Sequence, residues 1–407
     1  MRRTTMVVAV LALVAVGCGK SSSSSSSTTT PTTAVAAGPK TYAVQLDGKA
    51  DAFNGEFGSY FPNSLSAHPG DTVQFNLPRF SGVPHTVTFG TLIDKAVAKL
   101  DSLGPTALPD AQENSAEMLN VPDVFPHKNP TNGPPDANQS AAQPCYLATG
   151  VPPLSLTGSA PACPKATQPD FDGTQAFYNS GLLGKDGATF SLKISANTKP
   201  GTYSFMCLIH RGVMTGKLTV AASGTTVPSP ADVTAAGAKQ ESDLIAATTP
   251  IAQTAQKLTA TGAALGSADP KNPSLTIADF GPKSLSIPVG GSVTWNEAGF
   301  HTLTFGATDA DVGLTTTAAD GSVHLAKGGA PVGFTVPANL GEFPPPATAK
   351  PTLVDLGTYD GTGFKSTGLV GSVPPLFVSF KVTFSKAGTY VVRCLVHPDM
   401  KGEVKVG

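Results

Sequence analysis

The chain has 407 residues, with 27 Lys and Arg against 28 Asp and Glu, a formal net charge of -1 and only 14% charged residues. So neutral a composition excludes the basic footprint of a nucleic-acid binder and any partner held chiefly by charge. Short strand-like runs among 43 glycines and 36 prolines favour sandwiches over helical bundles, and the length allows two domains, each with its own core.

The N-terminus carries Arg2 and Arg3, an apolar run from Met6 to Val16, and then Gly17-Cys18. The run is too short to span a bilayer and reads as a signal peptide, residues 1–18. It resembles a bacterial lipoprotein signal, which implies acylation of Cys18 and a chain tied by lipid to the outer side of the cell membrane, periplasmic or surface-facing. Ala15 stands where such signals usually have leucine, and simple cleavage with release is the alternative. Residues 19–39 are a Ser/Thr-rich tether, too polar and repetitive to bury anything, with a reach of roughly 25 Å as flexible chain.

Two homologous stretches follow, 40–222 and 272–407. Phe61-Pro-Asn-Ser-Leu-Ser is echoed by Phe280-Gly-Pro-Lys-Ser-Leu-Ser, and Phe171-Asp-Gly-Thr by Tyr359-Asp-Gly-Thr. Residues 223–271 read as a linker with one or two helical pieces between Pro230 and Ala264, interrupted by Pro250, a docking helix being the alternative. Each domain holds a long insertion. The first contains an amphipathic helix candidate, Asp94 to Leu103, and a Pro/Asn-rich loop with Cys145 and Cys163; the second is the Gly/Pro-rich stretch from Ala307 to Thr358. Such loops carry recognition or cover an edge, and the sequence does not choose.

Chemistry concentrates in two repeated constellations. Cys207-Leu-Ile-His210-Arg-Gly-Val-Met214 closes the first domain and Cys394-Leu-Val-His397-Pro-Asp-Met400 the second, while Pro84-His85-Thr and Phe300-His301-Thr lie upstream. Strand alternation puts Tyr203, Phe205 and Cys207 on one face, as it does Tyr390, Val392 and Cys394. His85, Val87 and Phe89 share a face, and so do His301, Leu303 and Phe305. Each cysteine and first histidine therefore points inward. Thiolate, imidazole and thioether together suit copper; zinc, the second choice, would normally want more thiolates, and no Cys-x-x-Cys occurs.

On these residues each half resembles a cupredoxin, the family of plastocyanin, amicyanin and azurin. The resemblance implies an all-β fold of two tandem Greek-key sandwiches and two type 1 coppers per chain. His85, Cys207 and His210 would be trigonal ligands with Met214 axial, and His301, Cys394, His397 and Met400 their counterparts. The second ligand loop has amicyanin's length, and the first is one residue longer. Relatives often place Asn or Ser after the first histidine, whereas Thr86 and Thr302 stand here.

Five cysteines, less Cys18, Cys207 and Cys394, leave Cys145 and Cys163, which are expected to pair in an oxidising compartment, free thiols being the alternative. His68, His127 and His324 are expected to be solvent-exposed. No His-x-His occurs, and no histidine adjoins either ligand cysteine, so the features that wire a multicopper oxidase or nitrite reductase are missing. The expected function is single-electron transfer between redox protein partners, without enzymatic turnover, through the more exposed histidines His210 and His397. Leu208, Ile209, Leu395 and Val396 would be either an apolar docking patch or core. The alternative is a copper chaperone or scavenger supplying an oxidase, although the six methionines form no cluster.

Overall fold

Among the described residues ten strands build the first half: β1 (Thr41–Leu46), β2 (Gly55–Phe57), β3 (Tyr60–Phe61), β4 (Ser64–Ala67), β5 (Thr72–Leu77), β6 (Thr88–Phe89), β7 (Tyr178–Asn179), β8 (Ala188–Lys193), β9 (Gly201–Met206) and β10 (Thr215–Val220). The computed structural model describes residues 38–104, 115–124, 137–142, 168–269, 271–318, 323–326, 331–337, 351–372 and 378–407. Segment 1–18, Cys18, nearly all of the tether, Cys145, Cys163 and His127 lie outside the described residues.

The first sandwich packs a sheet of order β3-β1-β5-β8 on one of order β4-β10-β9-β6-β7. Burial alternates along β5, whose Val73, Phe75 and Leu77 are buried, and this period of two fixes its register. Phe75, Phe89 and Phe205 meet at centroid separations of 5.0–6.1 Å at the centre.

The second half comprises β11 (Ala263–Asp269), β12 (Asn272–Gly281), β13 (Ser284–Ile287), β14 (Ser292–Glu297), β15 (Gly299–His301), β16 (Thr304–Phe305), β17 (Thr315–Thr317), β18 (Val323–Leu325), β19 (Thr352–Tyr359), β20 (Lys365–Ser366), β21 (Val370–Ser372), β22 (Val378–Phe384), β23 (Gly388–Arg393) and β24 (Lys401–Val406). Its sheets run β19-β22-β14-β11-β12-β2 and β13-β24-β23-β16-β20 around Trp295, Phe305, Phe380 and Phe384. The expected all-β pair of sandwiches is thus the architecture.

Two expectations are corrected. β11, placed in the linker by the sequence, is a strand of the second sandwich, parallel to β14. The helical part of the connection is not interrupted at Pro250: Pro230–Ala255 is one continuous helix, started by a Ser229/Asp232 capping box and carried through that proline. Its Gln240 and Glu241 bond to Asn63, Tyr60, Gln45 and Lys49 of the first half, while Gln256, just past its end, bonds to Phe280 and Lys283 of the second.

The halves are also joined through β2. This strand lies in the first repeat but pairs antiparallel with β12, adding a sixth strand to the second repeat's sheet. Phe53, Phe57, Phe61, Leu275, Ile277 and Ala252 form a separate small core there. Burying Phe57 completely is worth about 2–3 kcal/mol. Residues from Pro39 to Gly407 accordingly form one unit.

Candidate metal centres

In each half the cysteine ends one strand and the methionine begins the return strand. Cys207 N–H donates to the Met214 carbonyl (3.0 Å) and Cys394 N–H to that of Met400 (3.1 Å), so both ligand loops close through the same bond. The extra residue of the first loop is taken up in a 3-10 turn at Arg211–Val213, with Arg211 at φ 45°. The loops differ in length but not in how they are pinned.

His85, Cys207 and His210 come together, as do His301, Cys394 and His397, each set with its donor atoms within 4.8 Å of one another. In the second set His301 Nδ1 lies 3.2 Å from His397 Nδ1, and Cys394 Sγ lies 3.9 and 3.6 Å from the two nitrogens. A triangle with these sides has a circumradius of about 2.1 Å, a metal–ligand bond length. In the first set Cys207 Sγ is 3.4 Å from His210 Nδ1. His85 Nδ1 is buried without a hydrogen-bond partner among the described residues, as an atom reserved for a metal should be. Met214 and Met400 are fully buried in the same core clusters as their cysteines.

Electrostatics prepare the sulfurs. Burial alone would raise both thiols; the facing histidines outweigh it and hold Cys207 and Cys394 well below the usual thiol range, which favours the thiolate a metal needs. Thr86 N–H donates to Cys207 Sγ (3.3 Å) and Thr302 N–H to Cys394 Sγ (3.4 Å). The threonine hydroxyls accept from Leu208 and Leu395 N–H, both at 2.8 Å, tying the strand of the first histidine to the residue after the cysteine. Threonine therefore steadies the loop in both halves.

The environments of the first histidines differ. Asp47 Oδ1 accepts the N–H groups of Gly48 (2.7 Å) and Phe57 (2.8 Å), leaving Oδ2 3.6 Å from His85 Nε2. In the second half the matching position is Gly266, since Val44 pairs with Phe75 as Ala263 pairs with Trp295. A Cβ on Gly266 would come 2.1 Å from His301 Nε2, and one on Gly299 would come 2.8 Å from it.

The second histidines are less exposed than expected from sequence, and only His210 keeps a solvent-facing edge. His397 is fully buried, and the His210 side chain is 14% exposed. Leu208, Leu395 and Val396 are buried and Ile209 half-buried, so these residues are core and not a docking patch. The first half covers the second ligand loop: Gly82 lies against the Val396 carbonyl, and Arg79 bonds to Asp399 at 3.0 Å.

Between the two second histidines sits Glu56, which sequence reasoning missed. His210 Nε2 bonds to Oε1 at 2.5 Å and His397 Nε2 to Oε2 at 3.1 Å. Burial alone would raise Glu56; the two histidines outweigh it and hold the carboxyl well below the usual range. A lone acid in a strand-like run, Gly55-Glu-Phe57, was its only sequence signal. His68 and His324 are half-buried where exposure was expected, His68 with its ring on the Thr225 carbonyl (2.9 Å).

No family model matches the chain, and no curated protein does. Among solved structures it is similar to an auracyanin from the photosynthetic bacterium Roseiflexus castenholzii, at 17% identity over 46% of this chain and 100% of that one, TM-score 0.22. A purple cupredoxin from Nitrosopumilus maritimus matches at 15% identity over 36% of this chain and 99% of the other, TM-score 0.18. The reduced Cu(I) form of an amicyanin point mutant matches at 17% identity over 38% of this chain and 89% of the other, TM-score 0.19. Likenesses this slight add nothing to the chain's own donor geometry.

Proposed function

We propose that this chain is an extracytoplasmic, lipid-anchored electron carrier with two type 1 copper centres, held by His85, Cys207, His210 and Met214 and by His301, Cys394, His397 and Met400. The observation that carries this reading is the duplicated convergence of two imidazole nitrogens and one buried cysteine sulfur at metal-bonding separations. Copper bound there supplies one-electron cycling between Cu(I) and Cu(II). The protein's part is to fix the donors. Strand ends and the Cys-to-Met closing bonds set their positions, the threonines hold the loops, and burial keeps water off the sulfurs.

The same burial supports a resident metal over one handed on, since Cys394, His301 and His397 have no exposed surface. The carrier reading includes redox protein partners and no substrate turnover by the chain alone. Purified protein lacking the signal and tether should bind two coppers and show the intense visible band of a copper–thiolate bond, with Cys207→Ser and Cys394→Ser each removing about one site. One copper per wild-type chain, or a colourless protein at full loading, refutes it.

A further inference from the structure

We propose that Glu56 is a positioning residue shared by both centres, which joins them into one electronic unit by holding the outer nitrogen of a ligand histidine on each of its two carboxylate oxygens. The inference rests on the two-centre reading above. Its ground is geometric: Nδ1 of both His210 and His397 faces the cysteine sulfur, so Nε2 carries the proton and donates to Glu56, at 2.5 and 3.1 Å.

The fold builds this contact deliberately. Thr276 of β12 pairs with Glu56, and strand alternation sends Glu56 to the face opposite Phe57, whose ring fills the core between the halves. Gly58 leaves room for the His210 ring, which a Cβ there would meet at 3.2 Å. A merely structural plug would be cheaper as an apolar residue, because a glutamate whose side chain is 8% exposed carries a desolvation penalty that only its partners offset. Here both partners are residues expected to bind metal.

The link runs Nε2–H to Oε1, through the carboxylate carbon, and from Oε2 to the second Nε2–H. With copper held at both sites, an electron passing between them would oxidise one Cu(I) to Cu(II) as it reduced the other Cu(II) to Cu(I), while Glu56 would hold the two imidazoles in place. No bond forms or breaks, and no proton moves. Because His210 keeps a small solvent-facing edge and His397 none, the first centre is the point of exchange with partners and the second is served from inside.

The test compares wild type with Glu56→Gln and Glu56→Asp after copper has been counted in each. A sub-stoichiometric pulse of reductant is followed by freeze-quench EPR, which resolves the two centres as the electron redistributes. Glu56→Gln should keep two coppers and slow redistribution about ten- to hundredfold, as loss of a partner behind a ligand does, with Glu56→Asp in between. Independently, proton NMR of imidazole-labelled wild type should show Nε2–H signals of His210 and His397 far downfield and slow to exchange with water. An unchanged rate in Glu56→Gln, or either signal exchanging like that of an exposed imidazole, overturns the proposal. Should Glu56→Gln fail to fold, the wild-type signals decide. Should the wild type bind fewer than two coppers, the two-centre reading falls, while the same signals in the metal-free chain still decide the Glu56 bridge.

Discussion

The two centres share their donors and the closure of their loops, but differ behind the first histidine. His85 has a buried carboxylate 3.6 Å from Nε2, and its pKa is raised: burial would lower it, and Asp47 and Cys207 outweigh that. His301 has the bare backbone of Gly266 and Gly299 in that place, and its pKa is lowered, chiefly by burial. The sulfurs differ too. Among the described residues Cys207 Sγ receives one backbone N–H, from Thr86, whereas Cys394 Sγ receives two, from Thr302 and Val396. A repeat can thus keep its candidate donors and diverge in the residues packed against them.

The sharpest way to break this comparison is Gly266→Ala. A Cβ there would sit 2.1 Å from His301 Nε2 and 2.5 Å from the Ala298 carbonyl, at φ +71°, so the first histidine of the second set must move. The backbone strain alone is about 1–3 kcal/mol. Copper content should fall from two per chain to about one, with the first centre's EPR signal intact. Retention of two coppers with an unshifted spectrum would show that His301 is not held by that glycine.

The sequence made the two His/Cys/His groups legible because each of their residues lies on a strand or loop whose phase is local: Tyr203, Phe205 and Cys207 alternate whatever the rest of the chain does. The helix Thr91–Leu103 was likewise legible from its own amphipathic run. Pro250, by contrast, misled. The helix continues through it, with Thr248 and Thr249 hydroxyls donating back to the Leu244 and Ile245 carbonyls. Glu56 was out of reach altogether. Its role arises from pairing with a strand of the other repeat and from a histidine 341 positions away, and the second repeat offers no copy to flag it. The same long-range packing turned His397 from an expected exit into a buried residue.

A smaller effect sharpens the asymmetry. A carboxylate beside a ligand imidazole makes it a better donor and favours Cu(II), while N–H groups on the sulfur withdraw charge and favour Cu(I). Both differences have the same sign, so the second centre should have the higher potential and hold the electron at rest. The extra residue of the first loop is taken up in the turn at Arg211–Val213. Redox titration of Cys394→Ser, which leaves the first centre, should give the lower value and Cys207→Ser the higher, a gap of ~60 mV corresponding to a tenfold bias. Adding Asp47→Asn to Cys394→Ser should move the first centre upward toward the second. Equal potentials in the two single-site variants, or the reverse order, would remove the basis for a directed relay.

The smallest expected effect is a control on what the repeats share. Thr86→Val and Thr302→Val each delete a buried hydroxyl that accepts a backbone N–H at 2.8 Å, from Leu208 and Leu395 respectively. Each also loses a contact to the next threonine, Thr88 at 3.2 Å and Thr304 at 2.9 Å. Stranding one buried N–H costs about 1–3 kcal/mol, and the near-isosteric valine leaves no cavity to add to it. The two variants should therefore lose similar stability in denaturant titrations while keeping both coppers, because neither replaces a donor and the N–H of residue 86 or 302 still reaches the sulfur. If one threonine proved dispensable and the other cost several kcal/mol, the loops would not be pinned alike, and the asymmetry now placed behind the first histidines would have to extend to the loops themselves.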